Sequence, residues 1–191
     1  MTKRMFIKLL AATVTSPLVF RWLAWAGGER LKNWAGNLEY STGRLYTATS
    51  LEQVRSYVKK ENKLKVLGTR HCFNNIADSK DSFLSLKPMN EVIVIDPAAR
   101  TVKVGAGITY GKLCPYLDSK GFALHNLASL PHISVAGACT TATHGSGEKN
   151  GNLATAASGL EIVSASGEVL KLSREQDGET FHGAVVGLGA L

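Results

Sequence analysis

The sequence predicts an α+β domain in which helices and strands alternate irregularly. Apolar runs of strand length come in pairs around tight turns, at residues 97–100 and at Ser166-Gly167, which is typical of antiparallel hairpins. Between the pairs lie longer segments whose apolar residues have helical spacing. A doubly wound parallel sheet would need a regular succession of strand and helix. The 191 residues leave room for one such domain with a small appendage.

The first predicted helix begins at Ser50, after an entry segment at residues 33–40. Ser50-Leu-Glu-Gln53 has the pattern of a capping box, and Leu51, Val54 and Val58 share one face of the helix. A second helix at residues 109–120 carries Leu113, Tyr116 and Leu117 at helical spacing, has to accommodate Pro115, and is ended by Gly121. The other predicted elements are a short buried strand at residues 64–67, further strands at residues 83–86, 91–96, 101–104, 160–165 and 169–172, and a helix at 179–186.

The net charge of +7 does not indicate nucleic-acid binding, because most of it lies at one end of the chain. Residues 1–32 hold six Lys/Arg and one Glu, whereas the remainder is almost balanced. No basic face with interleaved aromatic residues is visible, and we therefore exclude a nucleic-acid partner.

The N-terminal segment, residues 1–32, has the layout of an export signal. Lys3, Arg4 and Lys8 form a positive region before an apolar stretch, and Ala24-Trp25-Ala26 has the pattern of a cleavage site. Residues 2–8 are also similar to a twin-arginine signal with Lys in place of the first Arg. We expect an exported or membrane-associated protein, rather than a cytoplasmic one. The alternative is an uncleaved amphipathic helix that rests on the membrane or on the fold.

The three cysteines do not form a spaced framework, and no metal site is expected. Cys139 and His144 could be two ligands, but the sequence supplies no others. Buried, small apolar side chains are the simpler interpretation of Cys72, Cys114 and Cys139.

Residues 66–74, Val-Leu-Gly-Thr-Arg-His-Cys-Phe-Asn, form the first loop that indicates chemistry. Gly68 allows the backbone to approach a ligand closely, and successive N–H groups in such a turn can surround an anion. Arg70 could add charge near a phosphate. His71 is the side chain here that can act as a neutral nucleophile near physiological pH, although a single loop histidine is more often structural.

Residues 129–147 form the second such segment, Ser-Leu-Pro-His-Ile-Ser-Val-Ala-Gly-Ala-Cys-Thr-Thr-Ala-Thr-His-Gly-Ser-Gly. From Ser134 onward only Val135 and His144 are bulky, so the main chain is open to an extended ligand. Hydroxyls and exposed backbone N–H groups suit a pyrophosphate-bearing cofactor. The alternative is a tightly packed turn of small residues.

Gly105-Ala-Gly-Ile-Thr-Tyr-Gly111 follows a predicted strand and is a loose variant of the nicotinamide-dinucleotide fingerprint. The acidic residue expected about 20 positions later is missing, so this loop is structural or an auxiliary cofactor contact.

Together the two segments resemble the alditol (xylitol, sorbitol) oxidases and the aldonolactone oxidases, which belong to the vanillyl-alcohol oxidase superfamily. The resemblance covers residues 33–191. It implies an α+β FAD-binding domain of two subdomains, of the p-cresol methylhydroxylase type, followed in the family by a substrate-binding cap. The cap is not in this sequence, so we expect residues 33–191 to be a C-terminally truncated domain that is inactive by itself and contains no catalytic residue.

The resemblance also implies the cofactor-binding residues. His71 corresponds to the histidine bonded to the flavin 8α carbon, and Ser129 would lie near the reacting end of the flavin, where it could touch substrate. The other implied FAD contacts are Val66, Leu67, Gly68, Thr69, Arg70, Cys72, Ser134, Gly137, Thr141, Ala142, Thr143 and His144.

The implied activity is oxidation of a CH–OH group of a polyol or sugar lactone, with dioxygen as acceptor and hydrogen peroxide as product. Two alternatives remain open. One is a flavin dehydrogenase that passes electrons to a carrier, and the other is a module that binds FAD without turnover.

Overall fold

The computed structural model describes residues 31–191, and the predicted N-terminal signal lies outside the described residues but for Leu31 and Lys32. Within residues 31–191 no helix is long and apolar enough to cross a membrane. The strands are β1 (Leu45–Thr47), β2 (Leu64–Val66), β3 (Ser82–Ser85), β4 (Val92–Asp96), β5 (Thr101–Val104), β6 (Gly159–Val163) and β7 (Val169–Ser173). The helices are α1 (Leu51–Lys60), α2 (Tyr110–Asp118), α3 (Val135–Thr140) and α4 (Arg174–Val185), with 3-10 turns at Asn75–Ala77 and Leu153–Ala156.

The first half of the domain is a three-stranded parallel sheet in the order β1-β3-β2. Its central strand β3 is the most buried, because Phe83 and Leu84 are almost fully covered. Strand β1 was not expected from the sequence. The strand at residues 64–67 was expected to be buried, but β2 lies at the sheet edge, and Val66 is 43% exposed.

Helix α1 connects β1 to β2 and begins at the predicted cap. The Ser50 side chain accepts a hydrogen bond from the Gln53 N–H at 3.3 Å, while Gln53 Oε1 accepts from the Thr49 N–H at 2.8 Å. The capping box is therefore present with its return bond displaced by one residue. Val54 is buried and Val58 packs beside it, but Leu51 is 39% exposed, since it lies in the first turn at the edge of the contact.

The second half is built from the two predicted antiparallel hairpins, β4-β5 and β6-β7. The Ser166-Gly167 turn is closed by a hydrogen bond from the Gly167 N–H to the Ser164 carbonyl at 2.8 Å. An ion pair of 2.6 Å between Lys103 on β5 and Glu161 on β6 connects the hairpins. These hairpins, together with the helices, confirm the α+β class.

Helix α2 lies against β4 and β5 through Leu113 and Leu117, which are both buried, whereas Tyr116 is 41% exposed and points away. Glycines 105 and 107 precede α2 and pack against the backbone of residues 86–90. A Cβ on Gly107 would collide with the Leu86 carbonyl oxygen. This contact gives the loop a structural role that explains its glycines without a ligand.

Two segments differ from the sequence-based expectation. The small-residue segment at residues 129–147, expected to be a loop, contains helix α3. Helix α4 begins at Arg174 rather than at residue 179, because Ser173 caps it by accepting from the Gln176 N–H at 3.1 Å. Gly178, with φ of 45°, interrupts the helix just before the predicted start. Phe181 and Val185 then pack against β6 and β7.

Candidate cofactor site

The loop after β2 is fixed at both ends. Leu67 is buried, and its N–H donates to the Leu84 carbonyl at 2.9 Å. Arg70 has φ of 64°, an uncommon conformation for a residue with a side chain. Its carbonyl accepts from the Trp34 N–H at 2.8 Å, and its guanidinium donates to the Lys32 carbonyl at 2.8 Å. The described contacts of Arg70 therefore hold the segment at residues 32–34 against the loop.

Asn33, which the sequence did not single out, is the buried polar residue behind this loop. Its Nδ2 donates to the Cys72 carbonyl at 3.1 Å, and its Oδ1 accepts from the Leu38 N–H at 3.0 Å. Because it is only 4% exposed, its amide replaces water as the partner of these backbone groups. The sequence feature that could have indicated this role is the turn-forming composition of Asn33-Trp-Ala-Gly-Asn37.

His71 lies in the middle of the loop with its Nε2 buried and without a hydrogen-bond partner among the described residues. Burial lowers the pKa of its imidazole, and the nearby His132 lowers this pKa further. Both effects favour the neutral ring, which is the nucleophilic form. A histidine that merely fastened the loop would use Nε2 for a bond, so this nitrogen is suited to a partner that the loop does not supply.

The second segment contacts the first through Ser134. The buried Ser134 N–H donates to Thr69 Oγ1 at 3.3 Å, and a Cβ on Gly68 would lie 3.3 Å from Ser134 Oγ. A Cβ on Gly137 would come within 2.6 Å of the same oxygen. The glycines at positions 68 and 137 thus leave room for the Ser134 hydroxyl between the two segments.

The remaining predicted contacts of the second segment follow the end of α3. Thr141 Oγ1 donates to the Gly137 carbonyl at 3.0 Å and lies 3.2 Å from Thr143 Oγ1. Ala142 has φ of 50°, and His144 is exposed. A six-residue helix is about 9 Å long, so this group lies roughly that far from the contact between Ser134 and Thr69.

The structure therefore brings the predicted residues together in two groups. The first surrounds the Thr69–Ser134 contact and includes Gly68 and His71, and the second is residues 141–144. Ser129 is exposed, five residues before Ser134. Val66 is exposed on β2, whereas the side chain of Leu67 belongs to the core and can offer a ligand only its backbone.

A shallow hollow of about 290 Å³ lies elsewhere, between α4 and residues 152–155, and none of the predicted cofactor residues lines it. Among residues 31–191, no three His, Cys, Asp or Glu side chains are grouped to hold a metal ion. Burial raises the pKa of all three cysteine thiols, so the described structure presents them as neutral, half-buried side chains.

A glycine-bearing loop packed against a segment of small, hydroxyl-bearing residues is suited to an extended, phosphate-bearing cofactor. Residues 44–173 match the family model described as FAD binding domain. The chain belongs to this FAD-binding-domain family, and its cofactor is FAD. The fold is that of 6-hydroxy-D-nicotine oxidase from Arthrobacter nicotinovorans, with a TM-score of 0.63 at 22% identity over 76% of this chain and 32% of that one. The predicted p-cresol methylhydroxylase type of fold is confirmed.

Several curated relatives are oxidases. The chain is 39% identical to alditol oxidase from Streptomyces sp. (strain IKD472 / FERM P-14339) over 83% of its own length and 39% of that protein. It is 34% identical to L-gulonolactone oxidase from Mus musculus over 86% of its length and 38% of that protein. It is also 28% identical to the mitochondrial L-galactono-1,4-lactone dehydrogenase of Brassica oleracea, over 84% of its own length and 28% of that protein. The chain thus spans about two fifths of the length of the first two.

Proposed function

We propose that this protein is an FAD-dependent oxidase that removes hydride from a CH–OH group of a sugar alcohol or an aldonolactone, with dioxygen as acceptor and hydrogen peroxide as product. The similarity to alditol oxidase and to L-gulonolactone oxidase supports the substrate class. The relative named as a dehydrogenase supports the alternative, in which a carrier accepts the electrons. The third hypothesis is a module that binds FAD without turnover.

The single observation that carries the proposal is the buried Nε2 of His71, which has no hydrogen-bond partner among residues 31–191. A neutral imidazole in a loop that is fixed by Asn33 and Arg70 is held at one place, which raises its effective concentration toward any group bound beside it. We infer that His71 is bonded covalently to the 8α carbon of FAD. The Ser134 hydroxyl and the backbone of residues 68–70 then hold the cofactor without covalent bonds.

In this attachment a bond would form between an imidazole nitrogen of His71 and the 8α carbon, and one C–H bond of the 8α-methyl group would break. One proton would leave the methyl group and one the imidazole, while two electrons would pass to the flavin. Dioxygen, the acceptor proposed above, would remove those electrons and, with two protons, become hydrogen peroxide.

FAD supplies the hydride acceptor for the substrate, and the protein binds and orients it. Ser129, exposed on the same segment as Ser134, would donate or accept a hydrogen bond at the substrate side. His71 would anchor the ring system. Thr141 and Thr143 offer hydroxyl groups to the phosphate-bearing part of the cofactor.

Steady-state assays of the complete protein separate oxidase from dehydrogenase. Xylitol, sorbitol and L-gulono-1,4-lactone are supplied in turn, and peroxide production in air is compared with reduction of an artificial dye without oxygen. The proposal expects peroxide from at least one substrate, at a rate similar to that of dye reduction. Dye reduction with no peroxide would select the dehydrogenase. Bound FAD that no substrate reduces would select the non-catalytic module.

For the N-terminal segment we propose export or membrane association, on the basis of its basic residues, apolar stretch and Ala24-Trp25-Ala26. Fractionation of expressing cells is expected to recover the protein outside the cytosol. A cytosolic product that retains residues 1–26 would contradict this proposal.

A further inference from the structure

Three rings from three segments of the chain form a cluster at the predicted attachment point. The His71 and His132 ring centroids are 4.7 Å apart, and Trp34 lies 5.0 Å from His71 and 5.5 Å from His132. Trp34 and His132 are both exposed, whereas the Nε2 of His71 is buried. The only described ring neighbours of the predicted nucleophile are therefore one tryptophan and a second histidine.

The other titratable groups around His71 do not change charge near neutral pH. Tyr40 and Cys72 are neutral there, because burial raises the pKa of the Tyr40 hydroxyl and of the Cys72 thiol. Arg70 is permanently charged, and its guanidinium is bonded to the Lys32 carbonyl. That leaves the rings of Trp34 and His132 as the described contacts of the His71 imidazole.

We propose that His132 is a positioning residue for flavin attachment: its ring packs on the His71 imidazole and holds it in the orientation that attachment requires. This inference rests on the covalent bond of the proposed function. The Nε2 of His71 has no hydrogen bond among the described residues, so ring packing is what limits rotation of the imidazole. An imidazole held in one orientation reacts faster with a group bound beside it.

Two substitutions test whether the ring of His132 holds His71. His132→Phe keeps an aromatic ring at this position, and His132→Ala removes it. His182→Gln, an exposed histidine on α4, is the matched control. The complete protein is produced without flavin in a riboflavin-starved host, FAD is added, and covalent incorporation is followed by flavin fluorescence in denaturing gels. Non-covalent FAD binding, measured by fluorescence quenching, establishes that each variant is folded.

The expected result is a defect in the rate of attachment that is not matched by a defect in FAD binding. Attachment in His132→Ala should be slowed about five-fold, while its non-covalent affinity for FAD stays within about two-fold of the wild type. His132→Phe should attach flavin within about two-fold of the wild-type rate, and His182→Gln should match the wild type. If His132→Phe does not bind FAD, His132→Tyr replaces it with the same expectation.

Two results would overturn the inference. One is a wild-type attachment rate in His132→Ala, and the other is a parallel loss of attachment and of non-covalent FAD affinity in that variant, which would show a purely structural role. A wild-type protein that never forms a covalent bond would instead refute the attachment in the proposed function, and the wild-type arm alone reveals this.

Discussion

The backbone N–H of Ser134 donates a hydrogen bond to the hydroxyl of Thr69 at 3.3 Å, across 65 positions of the sequence. The bond connects the loop that carries His71 to the segment that leads into α3. Ser134 is buried, so water cannot replace Thr69 as the partner. The geometry of the cofactor site therefore depends on this contact.

We expect Thr69→Val to weaken FAD binding and to destabilise the domain. Valine has a similar shape but no hydroxyl, and an unpaired buried N–H costs about 1–3 kcal/mol. Chemical denaturation and FAD titration of the complete protein measure the two effects. Thr101→Val, at an exposed position on β5, is the control. Unchanged stability and affinity in Thr69→Val would mean that the contact does not hold the segments together.

Gly107→Ala is expected to destabilise the domain by about 1–3 kcal/mol, as overpacking usually does. The added methyl group would collide with the Leu86 carbonyl oxygen and lie 2.8 Å from that of Lys87, and backbone atoms cannot move away as a side chain can. Gly43→Ala is the matched control, since a Cβ there meets nothing within 4 Å. Equal melting temperatures for the two variants would refute the structural role of the loop.

The stability of the parallel sheet is predicted to depend on pH through the carboxyl group of Glu61. It accepts hydrogen bonds from the Tyr46 hydroxyl on β1 at 2.7 Å and from the Ser82 hydroxyl on β3 at 2.8 Å, and these bonds lower the pKa of its carboxyl group. A lowered folded-state pKa stabilises the fold above the ordinary glutamate pKa of about 4.3, and this contribution is lost as the pH falls through the folded-state value.

Glu61→Gln should therefore have a lower melting temperature than the wild type at pH 7, with a gap that closes as the pH falls below about 4. Glu148→Gln, at an exposed position, should follow the wild type throughout. A gap that stays constant with pH would show that the ionised carboxylate is not the stabilising form.

The sequence was sufficient where local patterns determine structure. The cap at Ser50, the two hairpins and the two cofactor segments follow from turn residues and periodicity within about ten residues. Strand β1 could not be predicted in the same way, because three residues pair only once β3 is in place. Helix α3 was hidden by its small side chains, which are consistent with a loop as well as with a helix packed through Ala138.

The cofactor site divides in the same way, between residues that local patterns predict and contacts that only the folded chain creates. The motif singled out His71, Ser134 and their neighbours, and the resemblance named the cofactor. The contacts of Asn33 and the proximity of His132 to His71 join positions that are 39 and 61 residues apart, and no periodicity in the sequence connects them. Tertiary packing decides both.

The location of the flavin bond tests the account most directly. The complete holoprotein is precipitated with acid, the supernatant is examined for free FAD, and the pellet is digested for peptide mass mapping. The wild type should keep flavin on the peptide that contains His71, His71→Ala should release FAD into the supernatant, and His182→Ala should behave as the wild type. Flavin that remains attached in His71→Ala, or that maps to the peptide of His132 or His144, would contradict the central claim.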